Sequence, residues 1–300
     1  MKIQSQSDNI KSRFALPLLL FIVFFLIIFS LIPSRGNETE TKYHQSAWNE
    51  YIPEIDAALK ISRAEKVAGL KHIYGGLVSH HIPTTIPLLV NFYSNLKLNQ
   101  SVKNFIIIGP DHNNSGESPI TVSNESFFTE YGEVKPIDGL AIKLKNEKLA
   151  NIEESPFDLE HSVGSQILII SKIFPGAKIT PIIIRSNTDK NQAEALGKEI
   201  ASLLDDETVL IASVDFSHYL SSNQALPLDQ MSGEIVKNTD LSAISLIKAD
   251  SGKTLLTFMK AMSERKALDT GNFTVLNTNN LMQNSDYTTG YVFGFWGIKI

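Results

Sequence analysis

The chain contains no cysteine, which rules out disulfides, a thiolate nucleophile and any cysteine-ligated zinc or iron–sulfur site. It also lacks an excess of positive charge. The formal net charge is −5, so no electrostatic footprint favours nucleic acid as a partner. No phosphate-binding P-loop, dinucleotide-binding G-x-G-x-x-G, G-x-S-x-G nucleophile elbow or H-E-x-x-H zinc helix occurs. There is no internal repeat and no low-complexity tract. What remains is an ordinary globular composition, 43% hydrophobic and 20% charged over 300 residues, enough to bury a substantial core.

The longest apolar run is Phe14–Ile32, which carries no charge. Its length is close to the roughly 20 residues that span a bilayer as a helix. Lys2, Lys11 and Arg13 precede it. The positive-inside rule then gives a single-pass cell-membrane protein with a cytoplasmic N-terminus and an extracytoplasmic folded domain. The expected organisation is an N-terminal segment and transmembrane anchor over 1–35, a linker and leading helix over 36–70, and an α/β domain over 71–300.

Downstream, short apolar runs alternate with amphipathic stretches. Strands are expected at Ile73–Val78, Phe105–Gly109, Lys178–Ile184, Val209–Val214 and Tyr291–Ile298. Pro181 marks the third of these as an edge or a bulge. Helical spacing joins Ile86, Leu89, Val90, Tyr93 and Leu96, then Val163, Ile167, Ile170 and Phe174, then Leu196, Ile200 and Leu203. Residues 226–262 read as helical throughout. Continuous apolar strands separated by helices predict a mostly parallel central sheet covered on both faces. Ligands in such folds bind beyond the carboxyl ends of the strands.

Three of those strand ends deliver histidine. Ser79-His80-His81 follows the first strand, Pro110-Asp111-His112 the second, and Asp215-Phe216-Ser217-His218 the fourth. Glu160-His161-Ser162 opens a helix. Histidine is the commonest metal ligand and a general acid/base near neutral pH. Each segment also has a plain structural reading, as a polar turn, a hydrogen-bonded pair or a helix cap. Together they predict one crevice holding His80, His112 and His218. His44 and His72 fall outside the pattern and read as surface or structural residues.

In order and rough spacing, the segments GGLVSHH, IIIGPDHN, EHSVGSQ and SVDFSHY resemble the Memo family (AmmeMemoRadiSam system protein B) from about Gly75 to the last strand. The resemblance implies a fold similar to class III extradiol dioxygenases and a divalent metal, Fe(II) among the candidates. It implies His80 and His112 as ligands, and His218 with Asp215 as acid/base groups, with Glu160 and His161 near the same pocket. The family often has proline before the first histidine, where this chain has Ser79. Its third metal-side residue is commonly a cysteine followed by glycine. Here Ala267–Asn272 offers Asp269 or Thr270 in that place, Asp269 as third ligand or as the cap of a helix carrying Phe273 and Leu276. The expected function is a non-haem metal-dependent oxidoreductase acting on a small molecule. The alternatives are a metal-dependent hydrolase and a non-catalytic protein that binds a ligand or partner in an inherited pocket. No protein partner can be identified from the residues.

Overall fold

The computed structural model describes residues 43–45, 48–282 and 287–299. Tyr43–Ile300 forms one compact unit. In chain order the elements are β1 (Tyr43–Gln45), α1 (Ile52–Ile61), β2 (Leu70–Val78), α2 (Ile86–Asn99), β3 (Asn104–Pro110), β4 (Ile120–Val122), β5 (Ser126–Thr129), β6 (Gly132–Val134), α3 (Leu140–Asn146), β7 (Asn151–Ile152), α4 (His161–Ile173) and β8 (Lys178–Ile184). There follow α5 (Lys190–Leu203), β9 (Thr208–Ser213), β10 (His218–Leu220), α6 (Ser222–Lys237), α7 (Gly252–Arg265), β11 (Asp269–Asn277), α8 (Thr278–Met282) and β12 (Thr288–Lys299).

The large sheet runs β10-β12-β2-β9-β3-β8-β4-β7, with β11 paired to β12 outside that path. Its centre, β2-β9-β3-β8, is parallel throughout. Antiparallel β12 and β4 flank that centre. The central strands are apolar on both faces because both faces are covered. Ile107, Val209, Ile211, Ile179 and Ile183 join Leu89 and Val90 of α2 and Ile167 and Ile170 of α4 in one core. The alternate residues Ile106, Ile108, Leu210, Ala212, Ile182 and Ile184 join Leu196 and Ile200 of α5 and Leu255 and Met259 of α7 in the other. Each buried Ile, Val, Leu or Met among them contributes about 1.5–3 kcal/mol of transfer free energy. The result is a three-layer α/β/α arrangement in which β2, β3 and β9 all end at one edge.

Four expectations require correction. Among the described residues no helix is long and apolar enough to cross a membrane. The expected span over 14–32 lies outside the described residues, so neither the membrane anchor nor the extracytoplasmic localisation has support in the structure. Pro181 does not mark a sheet edge, since β8 lies between β3 and β4. Instead β4 pairs only with Ile182–Ile184, and its ladder stops where proline has no N–H to give. Residues 226–262 are not one helix: α6 ends at Lys237, a short turn spans Leu241–Leu246, and α7 begins at Gly252. The stretch after Asp269 is a strand, not a helix, because Phe273 and Val275 alternate inward against the second core.

Candidate metal centre

The carboxyl edge of the parallel strands gathers a set of buried polar groups. His80 follows β2 and is buried. Its backbone N–H donates to Asp215 Oδ1 at 3.2 Å, and the Ser79 hydroxyl donates to the same oxygen at 2.5 Å. Ring Nδ1 meets Ser213 Oγ, at the end of β9, at 3.3 Å. Gln166 of α4 donates to the Ser79 carbonyl and to Ser213 Oγ, at 2.9 and 3.2 Å, and accepts from Tyr93 of α2 at 2.8 Å. The imidazole is thereby fixed with Nε2 pointing into the crevice.

His112 follows β3 and is oriented by Glu160. That carboxylate accepts from the His112 backbone N–H at 2.9 Å and pairs with ring Nδ1 at 2.8 Å. It also caps α4 by accepting from Ser162 N–H at 2.9 Å. A carboxylate on Nδ1 leaves Nε2 free to face the crevice, an arrangement found behind metal-ligating histidines. His161, the first residue of α4, stacks on His112 with ring centroids 4.2 Å apart and meets His80 edge-on at 5.0 Å.

The carboxylate that completes the set is Asp250, just before α7. Its Oδ2 lies 3.1 Å from His80 Nε2 and 3.7 Å from His112 Nε2. The Asp250 backbone N–H donates to Asp215 O, and Asp215 N–H donates back to Asp250 Oδ2, at 2.9 and 3.1 Å. Asp250 Oδ1 is buried and has no hydrogen-bond partner. An orphaned carboxylate oxygen beside two converging imidazoles fits a divalent cation with nitrogen and oxygen donors. The ligand atoms of His80, His112 and His161 lie within 4.8 Å of one another, as do those of His80, Asp215 and Asp250.

Electrostatics follow from this packing. Burial disfavours a charged His112, but its contacts with Asp250 and Glu160 overcome that and push it up to about 10. Burial likewise opposes charge on His80, and Asp215 and Asp250 outweigh it, so His80 is also raised. Burial pulls His161 down, and the neighbouring His80 and His112 take it further, to about 4. Asp250 is held well below the carboxylate range by His112 and His80 despite its burial.

Of the residues singled out from the sequence, the fold brings together His80, His112, His161, Glu160 and Asp215. The charge of His218 acts on His81, the neighbour of His80. His218 opens β10, half-buried, opposite Thr289 of β12. Asp269 is a correction. It pairs with Gly297 of β12, which in turn faces Ile73 at the amino end of β2. His80 is seven residues further along the chain, so Asp269 lies roughly 20 Å away along the strand direction. There it forms an exposed ion pair with Lys299 at 2.9 Å. Asp250, Ser213 and Gln166 were not found from the sequence. The signal for Asp250 was present in Asp250-Ser251-Gly252, where Ser251 caps α7 through the Thr254 N–H. That capping turn interrupts the apparent helix.

The Memo-like protein family profile matches residues 72–292. A MEMO1 family protein of Caldivirga maquilingensis is 31% identical over 143 residues, 46% of this chain and 50% of that protein. One from Pyrococcus abyssi is 34% identical over 155 residues, 48% and 53% of the two chains. One from Methanosarcina mazei is 27% identical over 180 residues, 58% and 60%. The chain thus spans about half to three-fifths of the length of these curated relatives. Among solved structures, the uncharacterized protein JW3007 from Escherichia coli K12 aligns with 11% identity and a TM-score of 0.45, over 73% of this chain and 99% of that one. With the family profile covering most of its length and the histidine segments in place, this chain belongs to the Memo-like protein family.

Proposed function

We propose that the protein is a non-haem metal-dependent oxidoreductase of the dioxygenase type, with His80, His112 and Asp250 holding a divalent metal such as Fe(II). The observation that carries the reading is the placement of Asp250 Oδ2 against both imidazole Nε2 atoms, with Oδ1 buried and unpartnered. Two histidines and one carboxylate on one side leave open positions for substrate and oxygen, the arrangement of Fe(II) oxygenases. When bound, the metal would supply a site where substrate and O₂ meet.

The chain's own residues do the positioning. Glu160 fixes the His112 ring through Nδ1, and Ser213 and Asp215 fix His80, so both ligands are oriented in advance. His161 stacks on His112 and shares the same space, which places its ring to take or deliver a proton at Nε2. His81, one residue beyond the first ligand, pairs through Nδ1 with the Tyr291 hydroxyl at 2.5 Å, and that hydroxyl meets Thr278 Oγ1 at 2.8 Å. This chain of hydrogen bonds ties the loop after β2 to β12.

The test is oxygen uptake by full-length protein loaded anaerobically with Fe(II) and mixed with a panel of catechols. Iron-dependent uptake that disappears in His112→Ala supports the reading. Zinc-dependent ester or amide hydrolysis without oxygen uptake would replace it with a hydrolase.

A further inference from the structure

A second cluster of ligand-type side chains lies outside the centre described above. It is built from β1, the β4–β5 turn and the loop after β7, none of which contributes to the His80–His112–Asp250 set. His44 of β1 is buried to 3% exposure, with its ring stacked on Phe127 at 4.5 Å and flanked by Phe157. Nδ1 lies 2.8 Å from Asp158 Oδ1. Nε2 faces Glu154 Oε2 at 3.0 Å, Ser123 Oγ at 3.4 Å and Glu125 Oε2 at 4.0 Å. Ser123 in turn donates to Glu154 Oε2 at 2.6 Å, and the Asn124 N–H donates to Glu154 Oε1 at 3.0 Å.

We propose that His44, Glu154 and Glu125 form a second divalent-cation site, of the kind that takes Zn²⁺, which clips the N-terminal strand β1 onto the domain. The donor spacing fits. Bonds of about 2.0–2.1 Å in a tetrahedron place neighbouring donor atoms roughly 3.3 Å apart. The distances from His44 Nε2 to Glu154 Oε2 and Glu125 Oε2, 3.0 and 4.0 Å, bracket that edge, with water as the further donor and the Ser123 hydroxyl holding Glu154 in place through its 2.6 Å hydrogen bond. The outer contacts fit as well. A metal-bound histidine characteristically donates its other ring N–H to a carboxylate, and Asp158 occupies that place on Nδ1.

Charge is compatible with the ion. A buried imidazole with carboxylates on both nitrogens needs either a proton or a metal ion on the Nε2 side, because a bare lone pair cannot face carboxylate oxygen at 3.0 Å. Among the described residues, Glu154 and Asp158 have ion pairs with His44 alone. A proton on Nε2 meets the need with one positive charge, and a divalent ion meets it with two. Zinc uptake would therefore release the Nε2 proton and leave the Nδ1 hydrogen bond in place. The donor set contains no sulfur and mixes imidazole with carboxylate, which suits zinc better than copper(I) or an iron–sulfur unit.

The experiment uses the full chain carrying His80→Ala and His112→Ala, which removes the first centre, and titrates it with Co²⁺ as a coloured stand-in for zinc. The expected result is uptake of one equivalent with the intense visible bands of four-coordinate cobalt, displaced by Zn²⁺. Glu125→Gln, at the solvent-facing rim, should weaken that uptake by more than about tenfold without unfolding the chain, and Glu154→Gln should do the same. Elemental analysis of the otherwise unaltered protein should show one metal fewer per chain in Glu125→Gln. No uptake in the double variant, or uptake that neither glutamine substitution weakens, would overturn the site and leave His44 as a protonated ion-pair clip.

Discussion

Glu160 is a small change with a large expected consequence. Its carboxylate accepts three hydrogen bonds: from the His112 backbone, the His112 ring and the Ser162 backbone. It is 1% exposed, so no water replaces them on truncation. Glu160→Ala removes the cap of α4, worth about 1 kcal/mol. It also breaks the backbone and ring hydrogen bonds to His112, a residue open to solvent, at about 0.5–1.5 kcal/mol each. The expected loss of stability is therefore about 2–4 kcal/mol, read as a shift in the urea midpoint with unchanged slope. Glu160→Gln keeps an acceptor for the cap but loses the charge opposite His112, and should cost less stability. Its larger effect should be on metal, because a freed His112 ring is no longer held with Nε2 inward. A fall of roughly 10–100-fold in affinity is expected. If Glu160→Gln leaves both metal affinity and the urea midpoint at wild-type values, the view that Glu160 orients His112 is wrong.

Three further outcomes follow from other parts of the structure. A Cβ on Gly297 would lie 1.9 Å from the His72 carbonyl oxygen, a backbone atom that cannot rotate away. Gly297→Ala should therefore force β12 off β2 and cost about 3 kcal/mol or more in chemical denaturation. Asp229 is fully buried, accepts from the Ser217 N–H and hydroxyl at 3.0 Å each, and is raised above the usual Asp range by burial. A raised folded-state value means its contribution is greatest below the unfolded value of about 3.9 and is lost as pH rises through the folded one. Denaturation curves across the acid range should show that downward component in the wild type and not in Asp229→Asn. Finally, Tyr291→Phe removes the hydroxyl shared by His81 and Thr278. It should cost about 1 kcal/mol in thermal or urea unfolding while leaving metal content unchanged.

The parallel centre is legible because its strands are buried on both faces, so runs such as Phe105–Gly109 and Val209–Val214 read as strands, within a residue at each end of the observed Asn104–Pro110 and Thr208–Ser213. The strand-end rule then placed His80 and His112 in one crevice, and the family resemblance put Glu160 and His161 near it. Asp250 escaped for a specific reason. Ile244 and Ile247 pack against the core from a turn, at spacings that continue the helical pattern of α6 into α7. Periodicity alone does not separate a helix from two helices with an apolar turn between them. The carboxylate sits in that turn, where no apolar spacing marks it. Asp269 stands where the family commonly has cysteine, and its Asp-Thr-Gly sequence, which reads as a helix start, is equally compatible with the start of a strand. The direction of β11, running from the far end of the sheet, is a tertiary fact that no local pattern carries. His44 looked peripheral because its partners come from residues 123–158, about eighty or more positions away, which only the parallel pairing of β1 with β5 brings close.

The central claim is that Asp250, not Asp269, completes the ligand set with His80 and His112. The most direct test is anaerobic Fe(II) titration of the full chain and of Asp250→Ala and Asp269→Ala, with His112→Ala as the reference for a lost ligand. Asp250→Ala should lose affinity to nearly the extent of His112→Ala, while Asp269→Ala should bind as the wild type does. Wild-type binding in Asp250→Ala, or a loss in Asp269→Ala matching that of His112→Ala, would contradict the account.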